Sequence, residues 1–217
     1  MERKIIYTHR RSFSIVLLVA GAATPASAAL LYEADFSQVS GFSHTQTNPP
    51  ATGPQTSDGA NYTLSYSATP RTDAAANFFR TDTVTRALRS LDFGGKHQFL
   101  SDPIDVTGHS ALTATYVGGT SGFEPFNAMN EFFEWFYVLD GVEASLGTVT
   151  QAGPLDLTAG VPDGSSLRLG LRADIDGGDD GFNVTGVTLR GEPIPEPAAG
   201  TLLAVGLACL GLRRRGL

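Results

Sequence analysis

The sequence has little of several things that would assign a function class directly. It contains one cysteine, Cys209, in 217 residues, which excludes an internal disulfide framework and a zinc site held by several cysteines. No apolar run reaches the roughly 18 to 20 residues of a stable membrane span, and no P-loop, GxGxxG, HExxH or GxSxG pattern occurs. Basic residues are few, 15 against 22 acidic ones, which argues against nucleic acid as a partner because phosphates attract basic surfaces. The length and the 41% hydrophobic content fit one folded domain with additional segments.

The N-terminus has the three parts of a secretory signal peptide. Four basic residues among the first eleven precede the apolar run 13–23, which is followed by the small residues Ala26 and Ala28 at alternate positions. A positive segment, a short apolar segment and a small-x-small site together predict export and cleavage. We expect cleavage after Ala28 or Ala29, and the alternative is an uncleaved N-terminal anchor.

The C-terminus has a second three-part pattern: a Pro-Glu-Pro tripeptide, an apolar stretch and an arginine cluster. These are Pro195, Glu196 and Pro197; residues 198–212; and Arg213, Arg214 and Arg215. As a helix the apolar stretch rises only about 22 Å, less than a hydrocarbon core of about 30 Å. Arginines after it favour a cytoplasmic end. The pattern therefore predicts a temporary membrane anchor.

This tail, from Pro193 onward, resembles the PEP-CTERM sorting signal of Gram-negative bacteria, which is also known as the ice-binding protein C-terminal domain. The second name says nothing about ice binding here. The resemblance implies recognition by exosortase, a membrane protease-transpeptidase that cuts near the PEP motif and passes the exported domain to the cell surface or an exopolysaccharide matrix. The expected precursor is anchored in the inner membrane before processing. The alternative is an ordinary single-span anchor with an incidental Pro-Glu-Pro.

Between the termini, residues 29–191 have the pattern of short β-strands. Segments that are alternating, β-branched or aromatic are separated by Gly, Pro, Asn and Asp. The predicted strands are 31–36, 62–67, 77–80, 97–100, 111–117, 132–139, 144–149, 166–173 and 183–190. We predict an all-β fold, an antiparallel β-sandwich of jelly-roll type. It is flanked by an N-terminal signal helix in residues 1–28 and by a short C-terminal transmembrane helix in residues 192–217.

Three segments of this region have other patterns. Residues 74–76 and 84–91 are the candidates for a helical turn, in a domain where no window of ten or more residues has a helical period. The polar, proline-rich segment 40–60 predicts a disordered surface loop rather than a binding loop.

Two turn motifs resemble those of lectin-like jelly-roll modules in secreted bacterial proteins. They are Asp105-Val106-Thr107-Gly108, before an inner strand, and Asp140-Gly141, after the central aromatic strand. On the last strand the chain departs from that pattern, with Val184-Thr185-Gly186-Val187 in place of Asp-Asn-Val. The resemblance implies a fold and no activity.

Four aspartates crowd a glycine-rich segment near the end of the domain. They are Asp174, Asp176, Asp179 and Asp180. Hard oxygen ligands on such a segment suit Ca²⁺, although their spacing is not that of an EF-hand. If the first and last strands are neighbours, Glu33 or Asp35 completes the calcium site. The alternative is a solvated acidic turn, because Asp and Gly favour turns.

The aromatic segment 130–139 contains residue types that act on or bind sugars. Glu131 and Glu134 lie three residues apart, so on a strand they point to opposite faces and cannot flank one glycosidic bond. Most of the aromatic residues are predicted to be core, and Trp135 is the candidate for stacking on a sugar. We predict no catalytic residue.

The predicted protein is therefore exported and non-enzymatic, with a structural or carbohydrate-binding ectodomain whose partners are exopolysaccharide or cell-surface glycans. The alternatives are a secreted polysaccharide hydrolase or lyase and a calcium-dependent adhesive module. Residues 29–212 contain 8 basic and 21 acidic residues, a net charge of 8 − 21 = −13. Such a charge suits solubility outside the cell and contact with divalent cations, and it disfavours polyanions as ligands.

Overall fold

The computed structural model describes residues 27–37, 55–66, 78–91, 96–121, 131–175 and 180–195, and these ranges form thirteen β-strands and no helix. The strands are β1 (Ala29–Glu33), β2 (Gln55–Asp58), β3 (Tyr62–Tyr66), β4 (Phe78–Asp82), β5 (Ala87–Leu91), β6 (His97–Ser101), β7 (Ile104–Asp105), β8 (His109–Ser121), β9 (Phe132–Leu139), β10 (Val142–Val149), β11 (Leu157–Val161), β12 (Ser166–Asp174) and β13 (Gly181–Pro193). In the described ranges no helix is long and apolar enough to cross a bilayer. The predicted signal peptide up to residue 26 and the tail from Glu196 onward lie outside these ranges.

The strands form two antiparallel sheets. The first sheet has the order β11-β8-β13-β5-β4, and β1 also pairs with β13. The second sheet has the order β10-β9-β12-β6-β3-β2, and β7 also pairs with β12. The predicted all-β, two-sheet architecture is confirmed.

The core lies between the sheets, and β12 shows how the sequence produces it. Leu167, Leu169 and Leu171 are 0% exposed, while Arg168 and Arg172 alternate with them on the outer face. Burying each leucine contributes about 1.5 to 3 kcal/mol. The period-2 pattern of this strand is confirmed.

Tyr116 joins the two sheets through the core. This residue of β8 is 0% exposed, and its hydroxyl donates to the carbonyl oxygens of Phe136 on β9 at 3.3 Å and Gly170 on β12 at 3.2 Å. Its ring also lies 6.4 Å from that of Trp135, centroid to centroid. The hydroxyl therefore bridges two strands of the opposite sheet.

Two predictions about the secondary structure are wrong. The helical turn predicted for residues 84–91 is a turn followed by strand β5, because Leu88 is a buried core residue and the strand pairs with both β4 and β13. The loop predicted for residues 40–60 ends in strand β2, which pairs with β3. Residues 38–54 and 74–76 lie outside the described ranges. The short strands β7 and β11 are not among the predicted strands, because β7 has two residues and β11 is short and contains Gly160.

The two turn motifs adopt the backbone that their residues favour. Gly108 has φ +76°, and the carboxylate of Asp105 accepts a hydrogen bond from the amide of Thr107 at 2.9 Å. Asp140 and Gly141 have φ of +50° and +85° between β9 and β10, as a two-residue hairpin turn requires.

A β-bulge divides β13 into two parts. Val184 pairs with Gly118 and Gly186 pairs with Val117, so Thr185 is an extra residue opposite β8. On its other edge β13 pairs with β5 through Val184 and with β1 from Thr188 onward. The bulge therefore lies at a gap between β5 and β1, on the outer face of the first sheet.

Candidate functional site

A groove of about 600 Å³ with a mixed polar and apolar lining lies on the outer face of the first sheet, and we call it the sheet groove. It crosses β8, β13 and β5, a width of two inter-strand spacings or about 10 Å. Its volume is in the range of about 300 to 1,000 Å³ that is usual for small-molecule sites. Its side chains come from three strands and one loop: Arg89, Val117, Thr120, Asp156, Asn183 and Thr185.

Part of the floor of the sheet groove is glycine backbone. At Gly119 an added Cβ would meet only the carbonyl oxygen of Gly153, at 3.9 Å. At Gly118 it would lie 2.5 Å from the carbonyl oxygen of Asn183. Gly118 is therefore required by strand packing, whereas Gly119 leaves open space where a ligand can approach the backbone.

One wall of the groove is the segment before β11. The hydroxyl of Thr120 accepts a hydrogen bond from the amide of Gly153 at 2.6 Å, and the amide of Leu155 donates to Gly118 at 2.9 Å. One carboxylate oxygen of Asp156 accepts from the amide of Gly118 at 3.0 Å. These bonds hold Asp156 at the groove, and its second oxygen has no hydrogen bond within the described residues.

The strand register places Asn183 at the centre of the groove. It pairs with Gly119 on β8 and with Arg89 on β5, so the three residues form one row across the sheet. The Asn183 side chain is exposed, and in the described part of the chain no hydrogen bond to it is present. An amide provides both donors and an acceptor. It is available to a ligand.

Arg89 provides the cation of the groove and is itself held in place. Its guanidinium lies 3.3 Å from the carboxylate of Asp82, and its side chain is 36% exposed. Asp82 also accepts from the amides of Val84 and Thr85 in the turn before β5. The ion pair adds little stability at this exposure, but it fixes the position of a guanidinium that lines the groove.

The groove combines donors and acceptors without a net charge. Asn183 and Arg89 provide donors, Asn183 and Asp156 provide acceptors, and Val117, which is 46% exposed, provides an apolar contact. The charged residues of the described lining are Arg89 and Asp156, one of each sign. Such a surface suits a neutral ligand that bears several hydroxyls.

The outer face of the second sheet carries two carboxylates that share one arginine, Glu134 on the aromatic strand β9 and Glu143 on β10. Glu134 accepts from Arg172 at 2.7 Å, and Glu143 accepts from the same guanidinium at 2.8 Å. Burial alone would raise the pKa of Glu134, but hydrogen bonds from Arg172 and Ser145 and the guanidinium charge lower it overall. A glycosidase acid needs a raised pKa. These two carboxylates are therefore suited to a structural ion pair.

The structure corrects the prediction that Trp135 stacks on a sugar. Trp135 is 3% exposed and faces the core, with its ring 4.9 Å from that of Phe133. Phe136 lies on the outer face but is 1% exposed and is covered by the Arg172 guanidinium at 4.9 Å from its centroid. Neither ring provides an open platform. Glu131 is buried at 8% exposure, whereas Glu134 lies on the outer face, which confirms that the two carboxylates point in opposite directions.

The predicted calcium ligands are only partly described. Asp176 and Asp179 lie outside the described ranges, and within those ranges no group of three or more His, Cys, Asp or Glu residues is arranged to hold a metal. The predicted pairing of the first and last strands is present. However, Asp35 lies beside Thr185, five residues along β13 from Asp180 or about 16 Å at the rise of a strand. The antiparallel register therefore separates Asp35 from Asp180, and a calcium site at residues 174–180 stays a prediction.

Sequence reasoning did not identify the sheet groove. Its central row comes from β5, β8 and β13, which are far apart in the sequence and meet only through strand pairing. One signal was present: Val184 and Val187 are three residues apart, which breaks the period of two and indicates a bulge.

Comparison with known proteins gives no family. No family model matches the chain, and no curated protein matches it. Among solved structures, the K3 cleaved adhesin domain of Lys-gingipain from Porphyromonas gingivalis is 14% identical, with a TM-score of 0.39 over 76% of this chain and 99% of that one. The CBM22-1 xylan-binding domain of Paenibacillus barcinonensis Xyn10C is 13% identical, with a TM-score of 0.35 over 79% of this chain and 99% of that one. At these scores the likeness says nothing about a ligand of the sheet groove.

Proposed function

We propose that this domain is a non-catalytic carbohydrate-binding module that binds a neutral glycan in the sheet groove. The observation that supports this most directly is the exposed amide of Asn183, which lies without a protein partner among the described residues in a groove of about 600 Å³. A sugar carries neighbouring hydroxyls, each of which donates and accepts. Asn183, Arg89 and Asp156 offer the complementary groups, and the open backbone at Gly119 allows close approach.

The carboxylates support binding rather than cleavage. Glycoside hydrolysis uses two carboxyl groups on either side of the bond, about 5 to 10 Å apart. The described lining of the groove contains one, Asp156, and that residue is tied to the amide of Gly118. Glu134 and Glu143 share the guanidinium of Arg172, whose hydrogen bond and charge help to lower the pKa of Glu134. A secreted hydrolase or lyase is therefore the less supported alternative.

We propose that the module reaches its glycan outside the cell. The signal-peptide pattern and the PEP-CTERM-like tail support export, anchoring in the inner membrane and processing by exosortase, and the turn motifs support a jelly-roll winding of the two sheets. Replacing Glu196 or deleting residues 213–217 is expected to leave unprocessed protein in the membrane fraction, detected by immunoblot. Release equal to that of the wild type would contradict sorting through the tail, without bearing on glycan binding.

Filling the sheet groove tests the binding proposal. In Gly119→Leu the new side chain enters open space, since the first atom near its Cβ is 3.9 Å away and Gly119 has no positive φ. We expect this variant to fold normally and to lose glycan binding about tenfold or more on a glycan array and by calorimetry. Asn183→Ala should weaken binding about two- to tenfold, the effect of one hydrogen bond.

The matched control is Gly160→Leu. Gly160 lies on β11 in the same sheet and outside the groove, and an added Cβ there meets only the carbonyl oxygen of Leu112, at 4.0 Å. Its binding should equal that of the wild type. Equal glycan binding by Gly119→Leu and Gly160→Leu would exclude the sheet groove as the site.

A further inference from the structure

A second cavity adjoins the sheet groove at the bulge of β13, and we call it the bulge slot. Its volume is about 360 Å³, and its polar lining residues include Glu33, Asp35, Ser37, Arg86 and Thr185. It occupies the gap in the first sheet between the end of β1 and the start of β5. The slot therefore lies beside Thr185, the extra residue of β13 opposite β8.

Thr185 lines both cavities. Its hydroxyl donates to the carbonyl oxygen of Val117 at 3.3 Å, which directs it toward β8. Each cavity alone has a volume within the range usual for a small ligand. The sheet groove and the bulge slot are therefore neighbours on the outer face that share Thr185 as a lining residue.

The slot has its own set of polar groups. Arg86 is exposed and lies in the turn before β5. Its φ of +50° is unusual for an arginine. In the described part of the chain it forms no hydrogen bond or ion pair. One oxygen of Asp35 accepts from the hydroxyl and amide of Ser37, at 2.5 and 2.9 Å, which leaves the other oxygen to a ligand.

The charges of the slot favour a neutral ligand. Two carboxylates, Glu33 and Asp35, face one guanidinium, that of Arg86, and the region 29–212 has a net charge of −13. A uronic acid or a sulfated sugar would therefore be repelled. Hydroxyls would be bound by the arginine as donor and by the carboxylates as acceptors.

We propose that the sheet groove and the bulge slot together bind one extended neutral oligosaccharide, with at least one sugar unit in each. The proposal rests on the proposed function of the groove. It adds that the ligand is a chain rather than a single sugar or a terminal group, and it assigns Arg86 to the binding of a distal unit.

Chain length tests this proposal. The probes are xylo-, cello-, manno- and laminari-oligosaccharides of two to six units, titrated into the full-length protein by calorimetry. For the series that binds, affinity should rise with length, and Arg86→Ala should lower the affinity for the longer chains about tenfold, the effect of one charge-assisted hydrogen bond. The same variant should leave the disaccharide unchanged, whereas Gly119→Leu should weaken every length.

The control variant is Arg190→Ala, which removes an exposed arginine of β13 opposite Thr113, outside both cavities. It should match the wild type at every length. If no series binds to the wild type, the proposed function of the groove fails. If a series binds but affinity does not rise with length, or if Arg86→Ala has no effect or weakens all lengths equally, the groove remains and the extended site is overturned.

Discussion

Replacing Tyr116 with phenylalanine removes one hydroxyl that joins the two sheets. That hydroxyl donates to the carbonyl oxygens of Phe136 and Gly170 at 3.3 and 3.2 Å, and the residue is 0% exposed. A net hydrogen bond contributes about 1 kcal/mol, and a buried group left without its partner costs about 1 to 3 kcal/mol. Because both carbonyls also belong to the strands of a sheet, we expect the free energy of unfolding to fall by about 1 to 2 kcal/mol at pH 7.

The difference between Tyr116→Phe and the wild type should then shrink at high pH. Burial raises the pKa of Tyr116 above the ordinary value of 10.0, so the folded protein keeps a proton that the unfolded chain releases. This contribution is fully present below pH 10 and decreases above it by about 1.4 kcal/mol per pH unit. The phenylalanine variant has no titratable group at this position, so its free energy of unfolding lacks this pH dependence. At pH 11 the wild type should have lost most of its advantage.

Urea unfolding at pH 7, 9, 10 and 11 measures this, with tryptophan fluorescence as the probe. Trp135 is the single tryptophan and is 3% exposed, so its emission reports opening of the core. Val161→Ala is the control, because it removes buried methyl groups worth about 1.5 to 2.5 kcal/mol and no titratable group. Its difference from the wild type should stay constant with pH. If the difference in the free energy of unfolding between Tyr116→Phe and the wild type is also constant from pH 7 to pH 11, the reasoning is refuted.

Two other predictions follow from the same packing and from the acidic segment. Gly170→Ala should lower the free energy of unfolding by about 1 to 3 kcal/mol, because the new Cβ would overlap the ring of Phe136; an unchanged urea midpoint would contradict that contact. Ca²⁺ should raise the melting temperature of the wild type but not of Asp179→Ala, and the absence of any shift in the wild type would remove the calcium site.

Local sequence patterns predicted the strands whose two faces differ in polarity. Strand β12 is an example, since its leucines are buried and its arginines are outside. The segment of strand β5 predicts a helical turn because Ala87, Leu88 and Leu91 have spacings that also fit a helix. The segment forms a strand because it pairs with two neighbouring strands, β4 and β13. A short stretch of sequence does not show such pairing.

The candidate site was less predictable than the fold, for a related reason. Aromatic and acidic residue types predict sugar binding or cleavage from the sequence. In the structure, however, Trp135 packs in the core and Glu134 forms an ion pair with Arg172. The residues that form the sheet groove are common types, such as Asn183 and Gly119. Their role depends on the cross-strand row in which the register places them.

The bulge at Thr185 connects the core to the proposed binding surface. Before it, Phe182 and Val184 are buried, and after it, Val187 and Leu189 are buried, so the extra residue changes which positions of β13 face inward. Deleting Thr185 would turn either the first or the second pair toward water, because a shift of one residue exchanges the faces of a strand. The apolar pattern of β13 therefore requires the bulge for folding. Since Thr185 also lines both the sheet groove and the bulge slot, the stability of the core and the shape of the proposed binding surface depend on the same inserted residue.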